Sequence, residues 1–418
     1  MNILPASTTR RILVCVSGMS PAIVTETLYA LVTQAPPFVP DEIHVVTTLR
    51  GKGQIMEELL TPQTGQFHQL MRDYLPGQHI RFDADTVHVI SQTRPVAVAA
   101  NPWGQLMQGQ ATQFEEVELK DITTDADNQV AADTIYRVLR ELKAVPGTLL
   151  HASVAGGRKS MSFYMGHAFS LLAEPQDTLS HVLVNEPFDH YQIDFYYPPR
   201  TPVTWPYKNA LGKACQACTD QAEIKLAELS VLKLGGLLGR DWPLKAQTSF
   251  AFAVCLAQAA LMPPEIRVVL EKNTKKGYLE LCGERVMLPP QQFTVFALYA
   301  LARCHEDELP DGAALRPEEL PATLWTSLGE DFKENGFSAD TRNFGSVRSK
   351  IQDALREVVG TVAQHFAIEA DGEKKKVKGA NRPIFLKTSP SCIKLVGLDD
   401  WGDQLKAELL ARGVCAIV

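Results

Sequence analysis

At 418 residues the chain is long enough for two or three domains, and with 45% apolar and 21% charged residues it reads as globular, which excludes a disordered or fibrous protein. No uninterrupted apolar run is long enough to cross a bilayer, and no basic-apolar-small leader opens the chain, so a cytoplasmic protein without membrane contact is expected. The net charge of −7 is unevenly spread: from Asp340 to Lys394 eleven Lys and Arg stand against six Asp and Glu, a basic stretch that points either to nucleic acid or to a solvated lysine loop.

In chain order, Arg11-Ile-Leu-Val-Cys-Val16 reads as a continuous apolar strand that runs into Ser17-Gly-Met-Ser-Pro21 and a helix from Ala22 to Val32. Gly18 permits the bend, Ser17 and Ser20 offer hydroxyls, Ser20 suits an N-cap and Pro21 suits a first helical turn. Ile43 to Thr47 is a second strand, closed by the basic glycine turn Thr47-Thr-Leu-Arg-Gly-Lys-Gly53. That turn either brings Arg50 or Lys52 to a shared crevice or is a plain loop. Helices at 53–60 and 66–75, a strand at 86–90 and a long helix at 125–143 follow. Thr148 to Val154 is a third buried strand, Gly156-Gly157 lets the backbone turn closely, and Ser160 to Leu172 has helical periodicity. Arg158 and Lys159 therefore stand beside the first amides of a helix, the arrangement of an anion site or of an ordinary turn with two solvated cations. The alternation predicts an α/β, Rossmann-like domain with a mostly parallel sheet, in which both glycine turns meet at the carboxyl edge of the strands.

These motifs resemble a known family. Ser17-Gly-Met-Ser-Pro-Ala-Ile-Val-Thr-Glu-Thr-Leu-Tyr-Ala-Leu31 and Ala155-Gly-Gly-Arg-Lys-Ser-Met161 are similar to the two signature motifs of CARF domains, the CRISPR-associated Rossmann-like sensors of cyclic oligoadenylates. His181-Val-Leu-Val-Asn-Glu-Pro-Phe188, Asp194-Phe-Tyr-Tyr-Pro198 and Ile224-Lys-Leu-Ala-Glu-Leu229 resemble one branch of that group, the ring nucleases of type III CRISPR systems. The resemblance covers the amino-terminal half of the chain. It implies a homodimer that binds a cyclic oligoadenylate, most simply the tetra-adenylate, and opens it by attack of a ribose 2′-hydroxyl, with no metal and no cofactor. Within that scheme Lys159 is expected to stabilise the transition-state charge and Ser17 to orient the reacting groups. Gly18, Met19, Ser20, Arg50, Lys52, Ala155, Gly156, Gly157, Arg158, Ser160 and Met161 are the expected ligand contacts. No well-placed histidine base is evident.

Past Pro198-Pro-Arg-Thr-Pro202 the texture changes. The expected organisation is a sensor domain over 1–200, a connector with a strand and helices over 201–262, a smaller α+β domain over 263–400 and a tail over 401–418. A hairpin turning at Cys282-Gly283, a helix from Pro289 to Arg303, a helix from Asn343 to Val359, a strand near Phe366–Glu369 and a closing strand at Cys392–Val396 follow the order of a winged helix-turn-helix. Such a domain would place Arg342, Arg348 and Lys350 at duplex DNA and Lys374, Lys375, Lys376 and Lys378 on phosphates at the wing, or would serve only in dimerisation. A carboxyl-terminal HEPN ribonuclease is argued against, because Arg72–His79 and Arg81–His88 have the required spacing but lie within the sensor domain, and neither His305 nor His365 has an Arg at the required offset. Eight cysteines are spread thinly, so reduced thiols are the default, and the lone Cys215–Cys218 pair lacks the partner pair that a structural zinc would want. Two readings compete with ring cleavage: a DNA-binding regulator that senses the ring without cutting it, and an adaptor that does neither.

Overall fold

Apolar runs flanked by glycine turns become the central strands of one parallel sheet. The computed structural model describes residues 9–95, 114–189, 193–209, 212–235, 249–261, 264–271, 276–308, 315–316, 320, 344–370 and 384–411. They divide into two compact units, 1–250 and 251–418.

In the first unit, β1 (Arg10–Val16) lies between β2 (Glu42–Thr47) and β6 (Thr148–Ser153), with β3 (Val87–Val89) beyond β2 and β7 (Thr178–Val184) beyond β6. All these pairings are parallel; β10 (Ile224–Glu228) closes the far edge antiparallel to β7. Leu13, Cys15, Ile43, Val45 and Val87 bury one face against α1 (Ala22–Thr33) and α3 (Gln66–Tyr74), through Val24, Leu28, Leu31, Phe67 and Leu70. The paired helices α4 (Asp125–Lys143) and α5 (Lys159–Leu172) cover the other, with Tyr136, Leu139, Met165 and Phe169 buried. A sheet buried on both faces explains why its strands read as unbroken apolar runs. Helix α4 begins where Thr124 and Asp127 cap one another's backbone, a signal plain in the sequence.

Several elements differ from expectation. The Thr47–Gly53 segment is no loop: α2 (Leu49–Gln54) starts there and continues as a π-helical turn over Ile55–Leu59, with Thr48 Oγ1 accepting from Gly51 N at 3.3 Å. Two glycines in six residues concealed the helix from propensity reasoning. Pro21, not Ser20, holds the cap position of α1, and no side chain bonds there. The connector, expected to hold a strand and helices, supplies the hairpin β8 (Thr204–Lys208) and β9 (Ala214–Cys218) and the edge strand β10. A further hairpin, β4 (Ser91–Pro95) with β5 (Phe114–Glu118), follows β3.

In the second unit, helix α6 (Phe250–Leu261) precedes a sheet in which β12 (Lys276–Leu281) is flanked by β11 (Ile266–Glu271) and β13 (Glu284–Met287). Cys282 and Gly283 both have positive φ in the two-residue turn, as the expected hairpin requires. Helices α7 (Pro290–Cys304) and α8 (Phe344–Val359) pack on each other, and α9 covers Asp399–Ala411 within the expected tail. The strands pair otherwise than expected: β14 (Ile368–Ala370) pairs with β15 (Ile384–Leu386), while β16 (Ile393–Val396) runs parallel to β11. An apolar closing strand can join either sheet, and its sequence alone does not choose. Cys255 and Cys282 form a disulfide, against the expectation of thiols throughout. Among the described residues no helix is long and apolar enough to cross a membrane.

Candidate functional site

Strand order reverses between β1 and β6, and open α/β sheets bind ligands at the carboxyl ends of such neighbouring strands. The Ser17–Ser20 turn leaves β1 and the Val154–Arg158 turn leaves β6 at this point, and their backbones touch. A Cβ on Gly18 would come within 3.2 Å of Gly157 Cα, and one on Gly156 within 2.7 Å of Val16 O. The start of α2 closes in from the third side, where a Cβ on Gly51 would lie 2.7 Å from Gly18 O. Only glycine allows three chain segments to approach this closely.

Hydrogen bonds from short side chains hold these turns. Thr47 Oγ1 donates to Ser17 O at 2.8 Å, Ser17 Oγ donates to Ser20 O at 3.3 Å, and Ser162 Oγ donates to Val154 O at 2.9 Å and to Gly156 O at 3.2 Å. Gly157 has φ +82°, and a Cβ there would meet Met161 Sδ at 2.9 Å.

Above the turns lies a cleft of about 210 Å³ lined by Gly18, Met19, Arg50, Gly157, Arg158 and Met161 from the expected set, together with Thr48, Lys120 and Asp121. The last three were missed because the loop after β5 carries no motif, and Thr48 was read as part of a loop. Arg158 Nη2 and Nε lie 2.6 and 3.2 Å from the two carboxylate oxygens of Asp121, and that pairing, before the Ile122 amide, holds the Asp121 carboxyl below its usual range. Arg50, Lys120 and Arg158 thus face one carboxylate, a positive excess. Lys159 opens α5, exposed beside the cleft without lining it, and Ser160 is half-buried behind it. Ser17 is buried beneath the first turn, Ser20 is exposed outside the lining, and Ala155 and Gly156 form the floor of the second turn. Lys52 faces away, into a separate cleft with His88 and Arg137, because it lies half a helical turn from Arg50.

In the second unit Arg348 and Arg356 line a groove of about 400 Å³ with Ser349, Gln352 and Glu369, and Lys350 is exposed on the same helix. Arg342, Lys374, Lys375, Lys376 and Lys378 lie outside the described residues. Among the described residues no three His, Cys, Asp or Glu side chains gather as metal ligands, Cys215 and Cys218 included.

No curated protein matches the chain. The family model described as CRISPR-associated protein NE0113 matches residues 20–99 and 109–255, which takes in the second glycine turn, Arg158 and Lys159, and the start of α2. That match covers most of the first unit, from Ser20 onward, and more than half the chain, and the chain therefore belongs to the CRISPR-associated NE0113 family.

Proposed function

We propose that the first unit binds a cyclic oligoadenylate, the tetra-adenylate, over the joined glycine turns and opens it to a linear product. The observation that carries this reading is the backbone contact between the Gly18 and Gly157 turns at the strand-order reversal, topped by a cleft whose cations outnumber its anions. A ring of adenylates presents one phosphate per nucleotide, and exposed amides at the start of α5 with Arg50, Lys120 and Arg158 suit such a ligand. Phosphate would compete with Asp121 for Arg158, an exchange that costs little because the pair is solvent-exposed. A two-fold ligand is matched most simply by two copies of the cleft, hence a homodimer.

In the proposed reaction the ribose 2′-oxygen attacks the adjacent phosphorus, the bond to the 5′-oxygen breaks, and a 2′,3′-cyclic phosphate remains. The 2′ proton leaves to solvent, and Lys159, exposed at the open side of the second turn, protonates the departing 5′-oxygen and balances the added charge on phosphate. No metal takes part in the proposed reaction. Ser17 keeps the first turn in shape from below through its bond to Ser20 O.

A second reading, in which the ring regulates DNA binding, is favoured by the Arg348–Arg356 groove and the basic carboxyl-terminal segment. The discriminating experiment incubates the purified protein with labelled cyclic tetra- and hexa-adenylate, with and without chelator, and resolves the products. Linear adenylate ending in a 2′,3′-cyclic phosphate, formed equally with chelator, is the expected result. Binding without cutting favours the regulator, and failure to bind either ring overturns both.

A further inference from the structure

A partly buried chain of acid and imidazole groups runs from β2 to β3 and ends in the cleft that Lys52 faces. Arg10 Nε and Nη2 donate to the two oxygens of Glu42 at 2.7 and 2.8 Å. Glu42 Oε2 lies 3.0 Å from His44 Nε2, and His44 Nδ1 lies 2.9 Å from His88 Nε2. The two imidazoles come from neighbouring parallel strands, where His88 pairs in register with Val46, so the rings share one face of the sheet.

Proton positions along this chain follow from its first member. Hydrogen bonding to Arg10, aided by His44, holds the Glu42 carboxyl at about 2, so Glu42 only accepts. His44 therefore donates from Nε2 and, being neutral, accepts at Nδ1. His88 must then donate from Nε2, which leaves a bare lone pair on its Nδ1. Burial, the neighbouring His44, and the charges of Arg137 and Lys52 push His88 down to about 4, so it too stays neutral at physiological pH.

The cleft reached by His88 has a volume of about 550 Å³, within the range of small-ligand sites. Leu49 and Val117 give it aliphatic walls. Lys52 and Arg137 supply cations, and Glu115, Glu118 and Glu116, which accepts from Ser91 Oγ, supply carboxylates. Arg137 is shared loosely with Glu141 at 3.7 Å. Aliphatic walls suit the face of a base, cations suit a phosphate, and acceptors without protons suit sugar hydroxyls, the pairing that acidic residues make with ribose in nucleotide sites.

We propose that this second cleft binds a ribonucleoside monophosphate, with His88 Nδ1 and the β5 carboxylates accepting from ribose hydroxyls and Lys52 and Arg137 holding the phosphate. The inference is independent of ring cleavage at the glycine turns. Its test uses full-length protein carrying Arg50→Ala, Lys120→Ala and Arg158→Ala, which removes the cations of the first cleft, and measures binding of adenosine monophosphate by calorimetry. Saturable one-to-one binding is expected. It should weaken about tenfold for 2′,3′-dideoxyadenosine monophosphate, which lacks both hydroxyls, and about tenfold on adding Lys52→Ala, a change at a helix surface that leaves the core intact. A second readout, the imidazole nitrogen spectrum of the same protein, should show an unprotonated His88 Nδ1 that shifts when adenosine monophosphate is added. Absence of saturable binding, equal affinity for the dideoxy compound, or indifference to Lys52→Ala overturns the proposal.

Discussion

Gly157 shows how one residue decides the geometry of the proposed ring site. With φ +82° and Met161 Sδ directly beneath, an alanine there meets both backbone strain and a steric contact. Gly157→Ala should destabilise the protein by about 1–3 kcal/mol, read as a lower urea midpoint at unchanged slope. An unchanged midpoint would mean that the turn relaxes freely. His151 makes a second residue-scale case. It is buried with Nε2 2.7 Å from Ser180 Oγ, and burial lowers it to about 4. Unfolded, the same group titrates near 6.5. Between those values the unfolded chain binds the extra proton, so the contribution of His151 is full above about 6.5 and is lost as pH falls through about 4. The loss is on the order of 3 kcal/mol, and His44 and His88 are shifted in the same direction. Melting temperature should fall between pH 6.5 and 4 for the native chain and fall less for His151→Gln; parallel curves would contradict this account. Arg158 and Asp121 make the third case, since a phosphate must displace that carboxylate. Asp121→Asn should tighten ring binding several-fold in a fluorescence titration, whereas weaker binding would make Asp121 part of the ligand's own contacts.

At the scale of elements, Ser162 fastens the second turn to the helix it begins. Ser162→Ala removes both bonds from that hydroxyl to Val154 O and Gly156 O, and should cost about 1 kcal/mol of stability while lowering ring affinity more than a surface change would. Denaturation and ring titration of the same variant check this, and an unaltered affinity would detach the turn from binding. The same turn marks how far the sequence could be read. The strands at Arg10–Val16, Glu42–Thr47 and Thr148–Ser153 and the helices at Asp125–Lys143 and Lys159–Leu172 were legible, because buried parallel strands are unbroken apolar runs and α4 announces its own cap. Helix α2 was not, since Gly51 and Gly53 mimic a loop, and Gly51 is required by contact with Gly18 O, which no local pattern records. Of the cleft, the glycine turns were visible and Lys120 and Asp121 were not, because spatial neighbours from a loop leave no spacing signal. The same reason hid the relay from Glu42 to His88, whose members lie on two strands and meet only through sheet register.

For the whole molecule, the family match ends at residue 255, close to the division between the two units, so the proposed ring chemistry and any reading of DNA would fall to separate parts of the chain. Helix α8 buries Phe344, Val347, Ile351 and Leu355 and leaves Ser346, Ser349, Lys350 and Arg356 exposed. If this face meets duplex DNA, affinity should fall steeply with salt, and Arg348→Ala with Lys350→Ala should reduce the slope by about one to two released ions. Anisotropy across a salt series checks it, and salt-insensitive or undetectable binding would leave the second unit a structural or dimerising module. The central claim, that the joined glycine turns hold and cut a cyclic adenylate, is tested most directly by comparing native protein and Lys159→Ala on the same labelled tetra-adenylate ring, with affinity and single-turnover rate measured together. The native protein should bind and linearise the ring, and the variant should still bind it while cutting about a hundredfold more slowly or less. A variant that cuts at the native rate, or a native protein that does not bind the ring, would contradict the account.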